Sequence, residues 1–337
     1  MRTLKALNHF TLTVGMCARH GETVTNKTAS EIEKLYGELI ERFRRWAEPR
    51  SDIRAAILVG SGARVDHLAD EWSDLDIIVI ATDPERYLST SDWINNFGKP
   101  LLTFVDTALT GNDRIRVVLY EGMLDVDFCI VPHEGMQRSS KWIDQTIKAN
   151  ADRKALAWIW NVYGRGARVL IDKDGIMGTF DAVAASAKKP SPPRPTHDEF
   201  IAVVNDFFYH AVYTAKHLRR GELWWTVTHQ NCRLQHSLLQ MMEWNALAEH
   251  GWKHDVWLLG RFLEEWATPK AVKGLREAFA QYDEEDVKRA LLAAIELFQS
   301  LALETATKLS YPYPTETDKN VTEWIRTCVA EASNRKR

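Results

Sequence analysis

Short apolar runs and helical repeats alternate along the first half of the chain. Residues 28–48 place apolar side chains every three or four positions, which predicts an amphipathic helix. A second helix is predicted from Asp83 to Phe97, with Pro84 in its first turn. Runs rich in branched and aromatic residues predict strands; they lie at 54–59, 74–81, 101–105, 114–120, 124–131 and 168–172. This mixture of strands and helices predicts a mixed sheet covered by helices.

The pattern changes near residue 190. Residues 188–199 contain four prolines, which favour an extended connection. Helical periodicity dominates the rest of the chain; the predicted helices are 198–220, 222–249, 252–266, 270–280, 283–309 and 316–333. We therefore expect an α+β protein in four parts, listed as an extension at 1–27, a mixed-sheet domain at 28–187, a linker at 188–197 and a helical domain at 198–333.

Composition narrows the possible classes of protein. The 43 basic and 46 acidic residues give a net charge of −3, which argues against a chain that binds nucleic acid over its whole surface. No apolar run reaches the ~20 residues that a membrane span needs, and no leader peptide is evident. The four cysteines are scattered and form no metal-binding pattern. We expect a cytoplasmic protein that uses neither a membrane nor nucleic acid.

Candidate chemistry is concentrated between the first two predicted strands. Gly60 and Ser61 follow a strand, and a glycine turn exposes backbone N–H groups that suit a phosphate. The N-terminus of a following helix is expected to point to the same spot. Asp74 and Asp76 are two positions apart on the next strand, so both side chains leave the same face. Arg64 is a candidate for neutralising phosphate charge.

A third carboxylate is expected because paired carboxylates repel each other and are usually compensated by divalent cations. The strand at 124–131 offers Asp125 and Asp127, again on one face. Carboxylate oxygens completed by substrate phosphates favour Mg2+. Three carboxylates on neighbouring strands predict a two-metal site for phosphoryl transfer.

This pattern resembles the nucleotidyltransferase superfamily, whose members share the palm of DNA polymerase β. Several segments in order resemble the streptomycin (aminoglycoside 6-) adenylyltransferase family in particular. They are TSDWINNFGKP at 90–100, DVDFCIVP at 125–132, RVLIDKDG at 168–175, NDFFYHAVYTAKHL at 205–218, MMEW at 241–244 and LSYPYP at 309–314. The resemblance spans about 50–330 and does not cover 1–27.

The resemblance implies an enzyme that moves AMP from ATP to a hydroxyl of an aminoglycoside and releases pyrophosphate. It selects Asp127 over Asp125 as the third Mg2+ ligand beside Asp74 and Asp76. The resemblance implies that Asp74, Asp76 and Asp127 together form the catalytic set. It also implies that Gly60 and Ser61 hold the β- and γ-phosphates, with Arg64 nearby. Lys216 is expected to reach the triphosphate from the helical domain. Asp206 stands where the family has Glu, and is a candidate for binding a cationic substrate or for acting as a base.

Other interpretations stay open at this point. The same chemistry could serve a protein or tRNA acceptor, as in toxin-like transferases, although the acidic balance disfavours nucleic acid. A toxin–antitoxin module is disfavoured because the helical half lacks the expected Arg and His spacing. A non-catalytic homologue that only binds ligand would be expected to lack a carboxylate, whereas all three are present. Candidate acids for a cationic acceptor, which is expected between the domains, are Asp206, Glu222 and Glu243.

Overall fold

The chain forms two compact units that divide after Pro190. A computed structural model describes residues 29–64, 66–107, 114–134, 164–175, 178 and 192–332. We call the described residues before the division the sheet unit and those after it the helical unit.

The sheet unit contains one mixed sheet of six strands. Its strands are β1 (Ile53–Val59), β2 (Leu75–Ala81), β3 (Pro100–Thr107), β4 (Arg114–Tyr120), β5 (Leu124–Pro132) and β6 (Arg168–Asp172). Their order across the sheet is β3-β4-β5-β2-β1-β6. β2 and β5 pair in parallel, and the other neighbours pair antiparallel. The predicted mixed sheet is confirmed.

One face of this sheet is covered by α1 (Ala29–Ala47), whose apolar stripe packs on it. Phe43 of α1 is fully buried and lies against Phe97 and Phe128, with ring centroids 5.4 and 5.7 Å apart. Side chains alternate between faces along a strand. The residues of β2 and β5 that do not enter this core therefore point to the opposite face, and these include Asp76 and Asp127.

The helix predicted from Asp83 to Phe97 is interrupted. The structure has α2 (Pro84–Ser89) and then a 3-10 turn (Asp92–Asn96), with Thr90 between them in an extended conformation. The buried Arg116 side chain donates to the carbonyls of Leu88 and Thr90. These carbonyls therefore satisfy a buried cation instead of continuing the helix, a tertiary contact that periodicity does not reveal.

The helical unit begins with a capping box, in which Thr196 and Glu199 each bond to the other's backbone N–H. Its helices are α3 (His197–Arg219), α4 (Leu223–His229), α5 (Gln235–Glu249), α6 (Leu263–Trp266), α7 (Pro269–Ala278), α8 (Glu284–Leu309) and α9 (Thr315–Ala332). A π-helical turn, Gln230–Leu234, joins α4 to α5. The continuous helix expected over 222–249 thus contains a local widening of its turns.

The helix predicted over 252–266 is largely wrong. Trp252, Leu259 and Phe262 have left-handed backbone conformations, and only a 3-10 turn and the four-residue α6 are helical there. The Trp252 side chain is buried, with 4% of its surface exposed. Tertiary packing of large side chains has overridden the local helical preference.

The longest helix in the described part of the chain, α8, passes through the core of the helical unit. Its Phe298 ring stacks on Phe207 of α3 with centroids 3.8 Å apart. By length and composition α8 is apolar enough to cross a membrane, contrary to the sequence expectation, but 56% of its most apolar window is buried in the protein. Such burial is typical of a core helix.

Candidate functional site

A glycine turn at the end of β1 brings the backbone close to a carboxylate. Gly60 has a φ of +66°, and a Cβ placed there would lie 2.0 Å from Oδ2 of Asp76. Only glycine adopts this conformation without strain and leaves this space open. The turn continues as a 3-10 turn through Gly62, and the N–H of Arg64 donates to the Gly60 carbonyl at 3.2 Å.

The Ser61 side chain bonds to Asp74, the residue that precedes β2. Its buried hydroxyl donates to the Asp74 carbonyl at 2.9 Å and lies 3.3 Å from Asp74 Oδ1. The expected helix after this turn is wrong: in the described part of 60–74, which omits residue 65, the only helical turn is the 3-10 turn. The geometry therefore leaves the backbone of the glycine turn, and no helix N-terminus, to meet a phosphate.

The parallel pairing of β2 and β5 sets Asp76 directly beside Asp127. One step earlier, Asp74 and Asp125 lie immediately before the first paired residues, Leu75 and Val126. Asp76 and Asp127 are both partly buried, and Asp125 is more exposed than either of them. The structure thus places the three carboxylates that the sequence analysis selected at the same end of two paired strands, with Asp125 as a fourth.

The electrostatics of this group are strained. Burial, followed by the charges of Asp125 and Asp74, raises the pKa of Asp127 to about 6. Burial and Asp74 likewise raise the pKa of Asp125. Neighbouring negative charges disfavour ionisation of a carboxyl group, and a bound cation would favour it. Within the described residues, no three His, Cys, Asp or Glu side chains lie close enough together to hold a metal ion.

Asp206, the first candidate acid of the helical unit, is already paired. Its Oδ1 accepts from Arg233 at 2.5 Å and its Oδ2 from the Ser237 hydroxyl at 2.6 Å. The carboxylate is one-third exposed, so a cationic substrate would compete with Arg233 for it. The role offered for Asp206 in the sequence analysis, binding a cationic substrate or acting as a base, thus meets a protein cation that already occupies the carboxylate.

Glu222 and Glu243 are also engaged. Glu222 is hydrogen-bonded to His217 and forms an ion pair with Arg220 at 2.7 Å; the hydrogen bond from His217, and then the charge of Arg220, lower its pKa. Burial raises the pKa of Glu243 to about 7, and Gln240 donates to it at 3.0 Å. Neither carboxylate is arranged as an open site for a polycation.

A stack of imidazole and indole rings lies beside Asp206, and sequence reasoning missed it. Trp225 stacks on His217 and on His229, with centroids 4.1 and 4.4 Å away. His229 in turn hydrogen-bonds to His210 at 3.0 Å. Burial, with the charges of His210 and Arg233, lowers the pKa of His229 to about 4, so the ring is neutral at pH 7. The helical spacing of these histidines is the only signal for the stack in the sequence.

Lys216 lines a groove of about 750 Å3 between α3 and α9. Its ammonium lies 5.7 Å from the ring centroid of Trp324, within cation–π range. Arg219, Arg220 and Tyr213 line the same groove. Positive charge beside aromatic rings suits a ligand with both phosphate and a flat ring.

Several known proteins are similar to this chain. A family model described as streptomycin adenylyltransferase matches residues 34–328. The chain is 23% identical over 293 residues to an aminoglycoside 6-adenylyltransferase of Bacillus subtilis, covering 85% of this chain and 95% of that protein. It is 21% identical over 297 residues to one of Staphylococcus aureus, covering 86% and 96%. The crystal structure of an aminoglycoside 6-adenyltransferase from Bacillus subtilis aligns with a TM-score of 0.38 and 20% identity, covering 88% of this chain and 98% of that one.

Proposed function

Because the chain belongs to the streptomycin adenylyltransferase family, we propose that it transfers AMP from ATP to a hydroxyl of an aminoglycoside, with streptomycin as the first candidate. The acceptor oxygen forms a bond to the α-phosphorus. The bond from that phosphorus to the bridging oxygen breaks, and pyrophosphate leaves with the electron pair. The proton of the hydroxyl passes to a base or to water. Such a modification would confer resistance, and ATP as donor implies a cytoplasmic location.

One observation carries this proposal. Asp76 and Asp127 are register neighbours on parallel strands, and the backbone of Gly60 lies against Asp76. A bare glycine turn next to paired carboxylates can hold phosphate oxygens and the cation that accompanies them. This is the arrangement that phosphoryl transfer needs, because positioning and charge neutralisation dominate its catalysis.

The donor set fits a hard divalent cation. Asp74, Asp76 and Asp127 supply only oxygen atoms. Burial, and then the charges of neighbouring carboxylates, raise the pKa of Asp127, and a bound cation would oppose the carboxylate contribution. We propose that these three residues hold Mg2+, in two sites. When bound, Mg2+ would offset phosphate charge and lower the pKa of the acceptor hydroxyl. Ser61 contributes indirectly, because its hydroxyl holds Asp74.

The remaining binding roles are part of the same proposal. The backbone of Gly60 and Ser61 binds the β- and γ-phosphates, with Arg64 beside it. Lys216, exposed in its groove, binds triphosphate oxygens. Asp206 interacts with a cationic acceptor in competition with Arg233. The two other candidate acids, Glu222 and Glu243, are engaged by neighbouring side chains, so Asp206 is the first candidate for acceptor recognition.

The test is a turnover assay with matched variants. Purified protein is incubated with Mg2+, ATP and either streptomycin, spectinomycin, kanamycin or no drug, and pyrophosphate release is followed. Asp127→Asn removes a carboxylate at the site, whereas Glu121→Gln removes an exposed one at the turn between β4 and β5. Mass spectrometry of the drug identifies the product.

We expect pyrophosphate release with streptomycin and a drug heavier by one AMP unit. Asp127→Asn should lower turnover at least a thousandfold, and Glu121→Gln should leave it unchanged. Comparable turnover in the two variants would refute the site. Absence of any drug product with wild-type protein would refute the acceptor class.

A further inference from the structure

A tyrosine of α1 links the two strand ends that carry the carboxylates. The Tyr36 hydroxyl donates to the Ser73 carbonyl at 2.9 Å and accepts from the Asp125 N–H at 3.2 Å. Ser73 directly precedes Asp74. One hydroxyl thus spans the entrance to β2 and the entrance to β5, with its donor and its acceptor both used.

This bridge lies where the sheet's own hydrogen bonding stops. The register of β2 with β5 begins at Leu75 opposite Val126, so Asp74 and Asp125 lie just outside it. Mutual repulsion of the carboxylates favours separation of the strand ends at this point. A side chain that bonds to both backbones opposes that separation. The phenol is close enough to both acids that burial, together with their charges, raises the pKa of Tyr36 to about 12, so the bridge stays protonated.

Asp74 is held from its other side by Ser61, whose hydroxyl donates to the Asp74 carbonyl at 2.9 Å. The carbonyls of two consecutive residues, Ser73 and Asp74, are therefore each fixed by a side-chain hydroxyl from a different element. Because Ser61 belongs to the turn after β1, it fixes Asp74 only relative to β1. Beyond the strand pairing that begins at Leu75, the Tyr36 hydroxyl ties this position to β5.

We propose that Tyr36 is a positioning residue that sets the spacing between Asp74 on one strand and Asp125 and Asp127 on the other, and so prepares the carboxylates to receive a divalent cation. This inference rests on the proposed function, because it concerns the cation site of that reaction. Tyr36 itself touches neither substrate nor the reacting atoms. Its effect passes through two backbone groups.

The test compares Tyr36→Phe with Tyr120→Phe. The Tyr120 hydroxyl also donates to a backbone carbonyl of the sheet unit, that of Ile94 at 3.0 Å, but it lies on the core face. Tyr120→Phe loses one buried hydrogen bond, whereas Tyr36→Phe loses two that are partly buried or exposed, so both variants should lose comparable thermal stability. Mn2+ binding to each protein with a non-hydrolysable ATP analogue and no acceptor is measured by electron paramagnetic resonance.

We expect Tyr36→Phe to weaken Mn2+ binding three- to tenfold and to lower kcat about tenfold, while Tyr120→Phe binds Mn2+ like the wild type. Equal Mn2+ affinity in Tyr36→Phe and wild type would overturn the positioning role and leave the proposed function standing. Equal weakening in both variants would also overturn it, by revealing a general stability effect. Wild-type protein that binds no Mn2+ would refute the cation site, and the role of Tyr36 with it.

Discussion

A comparison of Gly60→Ala with Gly175→Ala separates the cost of backbone strain from damage to the carboxylate site. At a φ of +66° any non-glycine residue costs ~1–2 kcal/mol. Loss of freedom in the unfolded chain returns ~0.4–1 kcal/mol. The expected net loss of stability is about 1 kcal/mol. Gly175 has nearly the same conformation, with a φ of +64°, but a Cβ there would meet nothing within 4 Å. Gly175→Ala is therefore the matched control for strain alone.

The two variants differ in what the new methyl group meets. At Gly60 the Cβ would lie 2.0 Å from Asp76 Oδ2, whereas ordinary contact begins at 3.4 Å, so the two atoms must separate by about 1.4 Å. A misplacement of ~1 Å at a reacting centre can lower the rate ~100-fold. We therefore expect Gly60→Ala to lose about 100-fold in kcat/KM, equivalent to ~2.7 kcal/mol.

Urea unfolding measures the stability of both variants, and pyrophosphate release measures their turnover. We expect similar losses of stability, with the loss of activity confined to Gly60→Ala. If Gly60→Ala kept wild-type kcat/KM, the contact between the turn and Asp76 would be irrelevant to function. If Gly175→Ala lost activity equally, strain rather than displacement of the carboxylate would explain the result.

Two further predictions concern the helical unit. Lys216→Met should raise the KM for ATP at least tenfold and change the KM for the drug little. Steady-state kinetics with each substrate varied in turn measures both constants. The reverse pattern would place Lys216 at the acceptor. His229 has a pKa of 6.5 when unfolded and about 4 when folded, so the unfolded chain binds the extra proton and stability falls as the pH drops from 6.5 to 4. The full shift corresponds to ~3.4 kcal/mol, which partial exposure of the ring reduces to about 1–2 kcal/mol. Urea unfolding at pH 7 and pH 4.5 should reveal this loss in wild type and a smaller one in His229→Asn; equal losses would contradict it.

The sheet could be predicted from the sequence because its strands are buried and apolar. All seven residues of 53–59 except Arg54 are buried, and such runs are visible without knowledge of their partners. The failures lie where a distant side chain decides the backbone. Arg116 ends α2 by taking its carbonyls, and buried aromatic side chains fix an irregular path over 252–266. Neither contact leaves a local signal.

The residue types of the candidate site could be predicted from the sequence, but the strand pairing and the hydrogen bonds that join them could not. Asp76 and Asp127 are separated by a hairpin and a helix, and nothing local shows that their strands run parallel in this register. Tyr36 occupies an apolar stripe of α1, so periodicity assigns it to the core. Its hydroxyl becomes informative only once Ser73 and Asp125 are known to flank it.

What a sequence does not reveal is whether a polar group has already been used by the protein itself. Asp206 and Glu222 look like acceptor ligands in the sequence, yet in the fold Asp206 is ion-paired with Arg233 and Glu222 with Arg220. Asp127 is the opposite case, because the charged neighbours that shift its pKa are all carboxylates, and they raise it. Among the candidate acids, it is therefore the carboxylates of the sheet unit, beside the glycine turn at Gly60, whose repulsion a bound cation would relieve. Under the role proposed for Asp206, a positively charged drug displaces Arg233 from that carboxylate, so a change at Arg233 should alter acceptor affinity more than a change at the carboxylates of β2 and β5.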